Sequence, residues 1–268
     1  MMSRRLSWIF PAALIAANLF APLHATERRP LDVPFITTPS AIVQRMLDMG
    51  DVKAGDYLID LGSGDGRIPI AAVGTRGAQA LGVDIDPARV TEAKAYAQQA
   101  GVQDRVAFRQ QDLFDTDLSR AQVITMYLFP EINMRLRPRL LDLKPGTRIV
   151  SHAFHMEDWT PDRHDVVDSR DIFLWIVPAK VTGLWSLNSA GGEPIVLRMW
   201  QQFQRIQGIA IFPGEHSIPL MNATLEGSRI RFDLHTASGV RSFSGQVQGR
   251  TMQADAADGG AWTATRYD

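Results

Sequence analysis

The residues best placed to do chemistry are a run of glycines and acids: Asp60, Leu61, Gly62, Ser63, Gly64, Asp65 and Gly66. Glycines at this spacing let the backbone turn sharply and come close to a ligand, because no Cβ stands in the way. A helix opening from such a turn offers N–H groups to an anion. Asp84 follows roughly twenty residues past Gly64, where an acidic side chain can accept hydrogen bonds from ribose hydroxyls. Asp86 lies nearby, and Asp112 sits in Gln111-Asp112-Leu113.

The spacing is G-x-G-x-G, not the G-x-G-x-x-G of dinucleotide sites. A dinucleotide would bring a doubly charged pyrophosphate against these carboxylates, which would repel it. A nucleoside carrying a sulfonium and an ammonium would be attracted, and its carboxylate would suit the helix N-terminus. The pattern therefore points to S-adenosylmethionine. Its expected shell is Asp60, Gly62, Ser63, Gly64, Asp65, Gly66, Asp84 and Ile85, with Asp112 and Leu113 at the adenine.

The methyl acceptor should lie beside the cofactor, at the carboxyl ends of the strands. Tyr127-Leu128-Phe129-Pro130 falls there. It lacks the Asn/Asp-Pro-Pro-Tyr/Phe element of enzymes that methylate base amino groups or glutamine amides. Tyr127 and Phe129 can form an aromatic wall for a cation. Tyr127, Glu131 and Thr38 are the candidates for positioning the acceptor, with His152 as a fourth. His152, His155, Glu157 and His164 read as ordinary loop residues, the charged residues between 161 and 170 as a solvated turn, and no metal site is expected.

These residues need a scaffold, and the hydrophobic pattern supplies one. Thr38 followed by Pro39 marks a helix start, with Ile42, Val43, Met46 and Leu47 as one apolar stripe and Gly50 as the stop. Strands are expected at 57–61, 80–83, 106–108, 123–128 and 148–151. Helices are expected from Gly66, from Pro87 to near Gly101, and over 131–141. This alternation predicts a Rossmann-like, doubly wound, mostly parallel α/β sheet. Runs at 165–168 and 172–177 add an antiparallel hairpin at one edge. Beyond Ala179 helix signals vanish. Short alternating runs at 181–187, 196–203, 209–212, 223–225, 230–234, 242–247 and 262–265 predict a small antiparallel β-barrel or sandwich. Trp185 near its start and Arg266 near its end are similar to calycin barrels, where such a pair makes a closure contact.

The expected organisation is a signal peptide at 1–25, a linker at 26–36, a cofactor-binding domain at 37–179 and an all-β domain at 180–268. Arg4 and Arg5 precede an apolar run from Leu6 to Leu23, and Ala25 is small enough for a cleavage site. Export to the periplasm is expected, or anchoring by an uncleaved segment with transient membrane association; Ser3-Arg4-Arg5 hints at a twin-arginine signal. The formal net charge of −1 lacks the basic excess of a phosphate-tracking nucleic-acid binder. With no cysteine, disulfides and thiolate metal sites are excluded.

Asp60 to Gly66, Asp84 and Asp112 resemble the cofactor motifs of class I, seven-β-strand methyltransferases. Within that class the chain is most similar to the lysine methyltransferases that include the mitochondrial ATP-synthase c-subunit enzymes. Thr37-Thr38-Pro39, the string Asp60 to Ile68, and Val150-Ser151 followed by Trp159 and Pro161 carry that likeness. The resemblance implies N-methylation of a protein lysine. Two other readings stay open: an exported small-molecule methyltransferase with the β-domain as lid or cup, and a catalytically silent binding protein on a cofactor fold.

Overall fold

The computed structural model describes residues 36–189, 192–214, 216–255 and 261–267. The expected signal peptide and nearly all of the linker lie outside the described residues. Among those described, no helix is long and apolar enough to cross a membrane.

The first half holds α1 (Ser40–Met49), β1 (Tyr57–Leu61), α2 (Arg67–Arg76), β2 (Gln79–Asp84), α3 (Pro87–Gln99), β3 (Val106–Gln110), β4 (Val123–Met126), α4 (Pro130–Leu141), β5 (Arg148–His152), β6 (Arg163–Val167) and β7 (Arg170–Ile176). The sheet order is β3-β2-β1-β4-β5-β7-β6. The first five strands are parallel, and β7 and β6 add antiparallel. Winding reverses between β1 and β4, which opens a crevice at their carboxyl ends.

Both faces of the sheet are covered at its centre, so the central strands are largely apolar without alternation. Leu58 and Val123 pack with Ile42, Ala72 and Ala93 of α1, α2 and α3. Ile59, Leu61 and Ile124 pack on the other face with Ile132, Leu136 and Leu140 of α4. Two expectations need correction. Thr38 does not cap α1: Pro39 stands at the cap with no side-chain hydrogen bond, and the Thr38 hydroxyl is engaged elsewhere. Nor is 161–170 a solvated turn. Half of it is strand β6, with Asp165 paired to Arg45 and Asp162 accepting from the Ile176 N–H at 2.7 Å.

The second half forms a nine-stranded antiparallel sheet: β8 (Gly183–Ser189), β9 (Ile195–Gln202), β10 (Arg205–Ile211), β11 (Ser217–Pro219), β12 (Met221–Glu226), β13 (Arg229–Thr236), β14 (Gly239–Gln248), β15 (Thr251–Ala254) and β16 (Trp262–Arg266). Its two outer strands, β11 and β12, are joined through Leu220 alone, so the sheet must curl until its margins approach. The short strands β11 and β15 had no separate run in the sequence. Trp185, Phe232, Phe243 and Trp262 fill the interior; the Phe232 and Phe243 rings stack at 5.0 Å with Trp262 edge-on to Phe243 at 5.7 Å. The Arg266 guanidinium lies 5.9 Å from the Trp185 ring, opposite it in register, as expected of a closure contact.

The barrel attaches at the base of the first sheet. The Ala179 N–H donates to Gly227 O at 2.8 Å. A Cβ on Gly227 would meet the Gly146 backbone at 3.1 Å, so the two chain segments touch there. Lys180 pairs with Asp142, Gln204 donates to Thr160 O, and Phe203 stacks on Trp159 at 5.8 Å. Asp142 and Gly146 precede β5, so the junction is at the end of the sheet opposite the crevice.

Candidate functional site

The glycine turn sits where β1 stops. Gly62 and Ser63 both donate their N–H to Val83 O, at 3.0 and 2.9 Å. The Gly64 N–H donates to Asp84 Oδ2 at 2.8 Å, while Asp84 Oδ1 accepts from the Asp86 N–H at 2.9 Å. Asp84 therefore faces the turn and is fixed by it. Gly66 has φ +80°, and a Cβ there would lie 2.5 Å from the Phe108 ring and 2.8 Å from Ala93 Cβ. Only glycine lets α2 approach the sheet this closely. The row of free N–H groups expected at the start of α2 is shorter than anticipated. Gly62, Ser63, Gly64 and Gly66 use theirs within the turn and strands, and Pro69 in the first turn of α2 has none.

Acids surround the turn. Asp60 is 2% exposed and accepts from Thr125 Oγ1 at 2.6 Å. Burial pushes its carboxyl up to about 7, against the Thr125 hydrogen bond, with repulsion from Asp84 and Asp65 adding to the rise. Asp65 is also buried, but Arg67 holds it through Nε at 3.0 Å and gives a second hydrogen bond to Thr38 O at 2.8 Å. The Ser63 hydroxyl is buried without a hydrogen-bond partner. Ile85 is partly exposed beside Asp84. Asp112 accepts from the Phe114 N–H at 2.9 Å and caps a short 3-10 turn at Leu113–Asp115, and Leu113 packs on the α4-side core. The Gln111 N–H donates to Asp84 O at 2.9 Å, which ties the ends of β3 and β2 together. All the residues expected around the cofactor thus share one edge of the sheet. Carboxylates outnumber cations there, and the arrangement can hold a positively charged nucleoside.

A second group stands at the ends of β4 and β5. Thr38 Oγ1 and His152 Nδ1 share a hydrogen bond at 3.2 Å. The Tyr127 ring lies 4.0 Å from His152 and 6.1 Å from Phe154, and Phe129 meets Phe154 edge-on at 5.8 Å. The Phe154 carbonyl accepts from Ser151 Oγ at 2.7 Å and Asn133 Nδ2 at 3.4 Å. Ala153, at φ +67°, makes the sharp bend that turns Phe154 back onto this group. His152 is not a loop residue. It ends β5, is 1% exposed, and burial, helped by the charge of Arg170, lowers its pKa to about 4. It is therefore neutral at ordinary pH, with Nε2 unpartnered. Glu131 does not join the group; it is exposed in the first turn of α4, where a negative charge suits the helix dipole.

Of the three positions expected to place the acceptor, the structure unites Thr38 and Tyr127 and leaves Glu131 on the surface. Phe154 and Asn133 were not anticipated. Asn133 carried a signal: it is a polar residue next to Ile132 on the buried face of α4, fully buried with its Oδ1 unpartnered.

The chain is similar to known methyltransferases. Residues 60–163 match the family model described as the ANTKMT methyltransferase domain. The chain is 43% identical over 151 residues to a protein-lysine N-methyltransferase of Saccharolobus islandicus, a match covering 54% of this chain and 94% of that protein. It is 30% identical over 168 residues to the ATP synthase c-subunit lysine N-methyltransferase of Mus musculus, covering 60% of this chain and 67% of that one. Among solved structures, an RNA methyltransferase from Salinibacter ruber in complex with S-adenosyl-L-homocysteine is 48% identical. That match has a TM-score of 0.54 and covers 55% of this chain and 96% of that chain.

Proposed function

This chain belongs to the S-adenosylmethionine-dependent methyltransferases of the protein-lysine N-methyltransferase family, and on that premise we propose that it methylates the ε-amine of a lysine in a protein. The observation that carries the reading is the Asp84–Gly64 contact, which sets an acid at the mouth of a carboxylate-ringed glycine turn. Asp84 would take the ribose hydroxyls, Asp112 the adenine edge, and Asp60 and Asp65 would favour the cationic end. When bound, S-adenosylmethionine supplies a methyl group activated by its positive sulfur.

The chain's own part is to present the amine. Tyr127, Phe129 and Phe154 give an aromatic surface for the aliphatic stem and its cation. Displacing water from around the amine lowers its pKa and favours the neutral, nucleophilic form. His152, being neutral, adds no positive charge against it. Alignment of the amine can supply much of the rate.

Incubation of purified protein with labelled S-adenosylmethionine and envelope proteins tests this. Label on lysine, located by mass spectrometry, is expected; label on no protein would end the reading. The Salinibacter ruber relative supports a second reading, in which RNA is the acceptor. RNA in the same assay separates the two. The Tyr127-Leu128-Phe129-Pro130 segment favours protein, since it lacks the element used on base amino groups.

The segment from Arg4 to Ala25 supports export, and on that reading the acceptor would lie in the cell envelope. Twin-arginine export of a folded, loaded protein would carry the cofactor along. Fractionation of the producing cell, with the chain found in the cytosol alone, would remove this part.

A further inference from the structure

One wall of the barrel has a one-sided composition. Strands β10, β9, β8, β16 and β15 are consecutive neighbours, and they contain no aspartate or glutamate. Their inward positions, such as Trp185, Leu197, Met199 and Trp262, are core. The alternate positions face out; among them Leu184 is 38% and Trp200 50% exposed, and Tyr267, just past the end of β16, is 49% exposed. These three are among only eight large apolar side chains exposed in the described residues. They are neighbours. Leu184 lies opposite Arg198, Trp200 follows Arg198 by two on the same face, and the Tyr267 N–H donates to Leu184 O at 2.9 Å. Arg198 is exposed between them.

We propose that this wall docks on an anionic lipid bilayer. Exposed apolar side chains standing together mark a surface with a partner. Trp and Tyr settle at the polar–apolar boundary of a membrane, and arginine beside them meets anionic headgroups. Leu184 and Trp200 are exposed on the outer face of this wall, so they suit a fluid surface into which they can sink. A nucleic acid would need more cations along its phosphates. The apolar run from Leu6 to Leu23, read as an export segment, would bring this chain to a membrane. The wall is independent of the methyl-transfer reading, since it lies on the other domain.

Full-length protein mixed with phosphatidylcholine vesicles, with and without phosphatidylglycerol, tests this by co-sedimentation and by quenching of tryptophan emission with brominated lipid. Binding is expected to require phosphatidylglycerol and to fall with salt. Arg198→Glu should weaken it roughly fivefold or more. In a Trp8→Phe background, which removes the tryptophan of the N-terminal segment, Trp200→Phe should abolish most of the quenching even if that segment still touches the lipid. Cofactor binding, measured on the same variants, should be unchanged and reports that they are folded. Equal partitioning of wild type and Arg198→Glu would overturn the proposal. So would quenching that survives Trp200→Phe in the Trp8→Phe background, or retention by RNA or an acidic polypeptide in place of vesicles.

Discussion

Thr38 and His152 are 114 positions apart in sequence, yet they share a hydrogen bond at 3.2 Å inside the protein. That contact ties the lead-in to α1 onto the end of β5, and Arg67 ties the same residue to the glycine turn. One strap therefore joins the cofactor side of the crevice to its acceptor side. Thr38→Val leaves Nδ1 of a buried imidazole without its partner. A loss of about 1–3 kcal/mol in stability is expected, read by thermal unfolding.

Asp84→Ala removes the carboxylate that orients the turn and that, on the proposed reading, would take the ribose. Cofactor affinity should fall by about 1–3 kcal/mol, the scale of a lost buried hydrogen-bond partner. Titration calorimetry measures it directly; an unchanged dissociation constant would place the cofactor somewhere else.

Asp60 is expected to make cofactor binding depend on pH. Its carboxyl is raised to about 7 by burial and neighbouring acids, so it is largely neutral below that pH and charged above it. A cationic ligand favours the charged form. Affinity should strengthen as pH rises through about 7, with proton release seen as a buffer-dependent binding enthalpy. Asp60→Asn should flatten that dependence.

His152 acts on folding, not on binding, and with the same sign in pH. Its pKa falls from 6.5 to about 4 on burial. The unfolded chain takes up its proton first, so the stability tied to the neutral ring is present above 6.5 and is lost as pH falls towards 4. Unfolding by denaturant across that range should show the decline, and His152→Gln should lessen it.

Tyr127→Ala tests the acceptor group alone. Misplacing the amine by even an ångström can slow transfer about a hundredfold. The rate of label transfer should drop on that order while calorimetry shows the cofactor still bound.

The parallel sheet was legible because its strands are apolar runs broken by glycine and proline, and its order follows from helical crossovers. The cofactor turn was legible for a related reason: Gly62, Gly64 and Gly66 act through the backbone and Asp84 holds that backbone with its carboxylate, so their types and spacing carry the information. The acceptor group was harder. Thr38 looked like a helix cap because its local sequence permits one, and only the partner from β5 shows that the hydroxyl is drawn away. His152 looked like a loop residue because its burial comes from Tyr127 and Thr38, both distant in sequence. The strand at Ser217–Pro219 is too short to show any period.

The single-residue step at Leu220 has a consequence for behaviour at high concentration. A curled sheet whose first and last strands are consecutive in the chain offers little unpaired backbone for another molecule to zip onto. The other sheet ends at β3 and β6, and β6 begins Arg163-His164-Asp165, charged side chains that discourage such pairing. Self-association through strand margins should therefore be slow even in crowded solution.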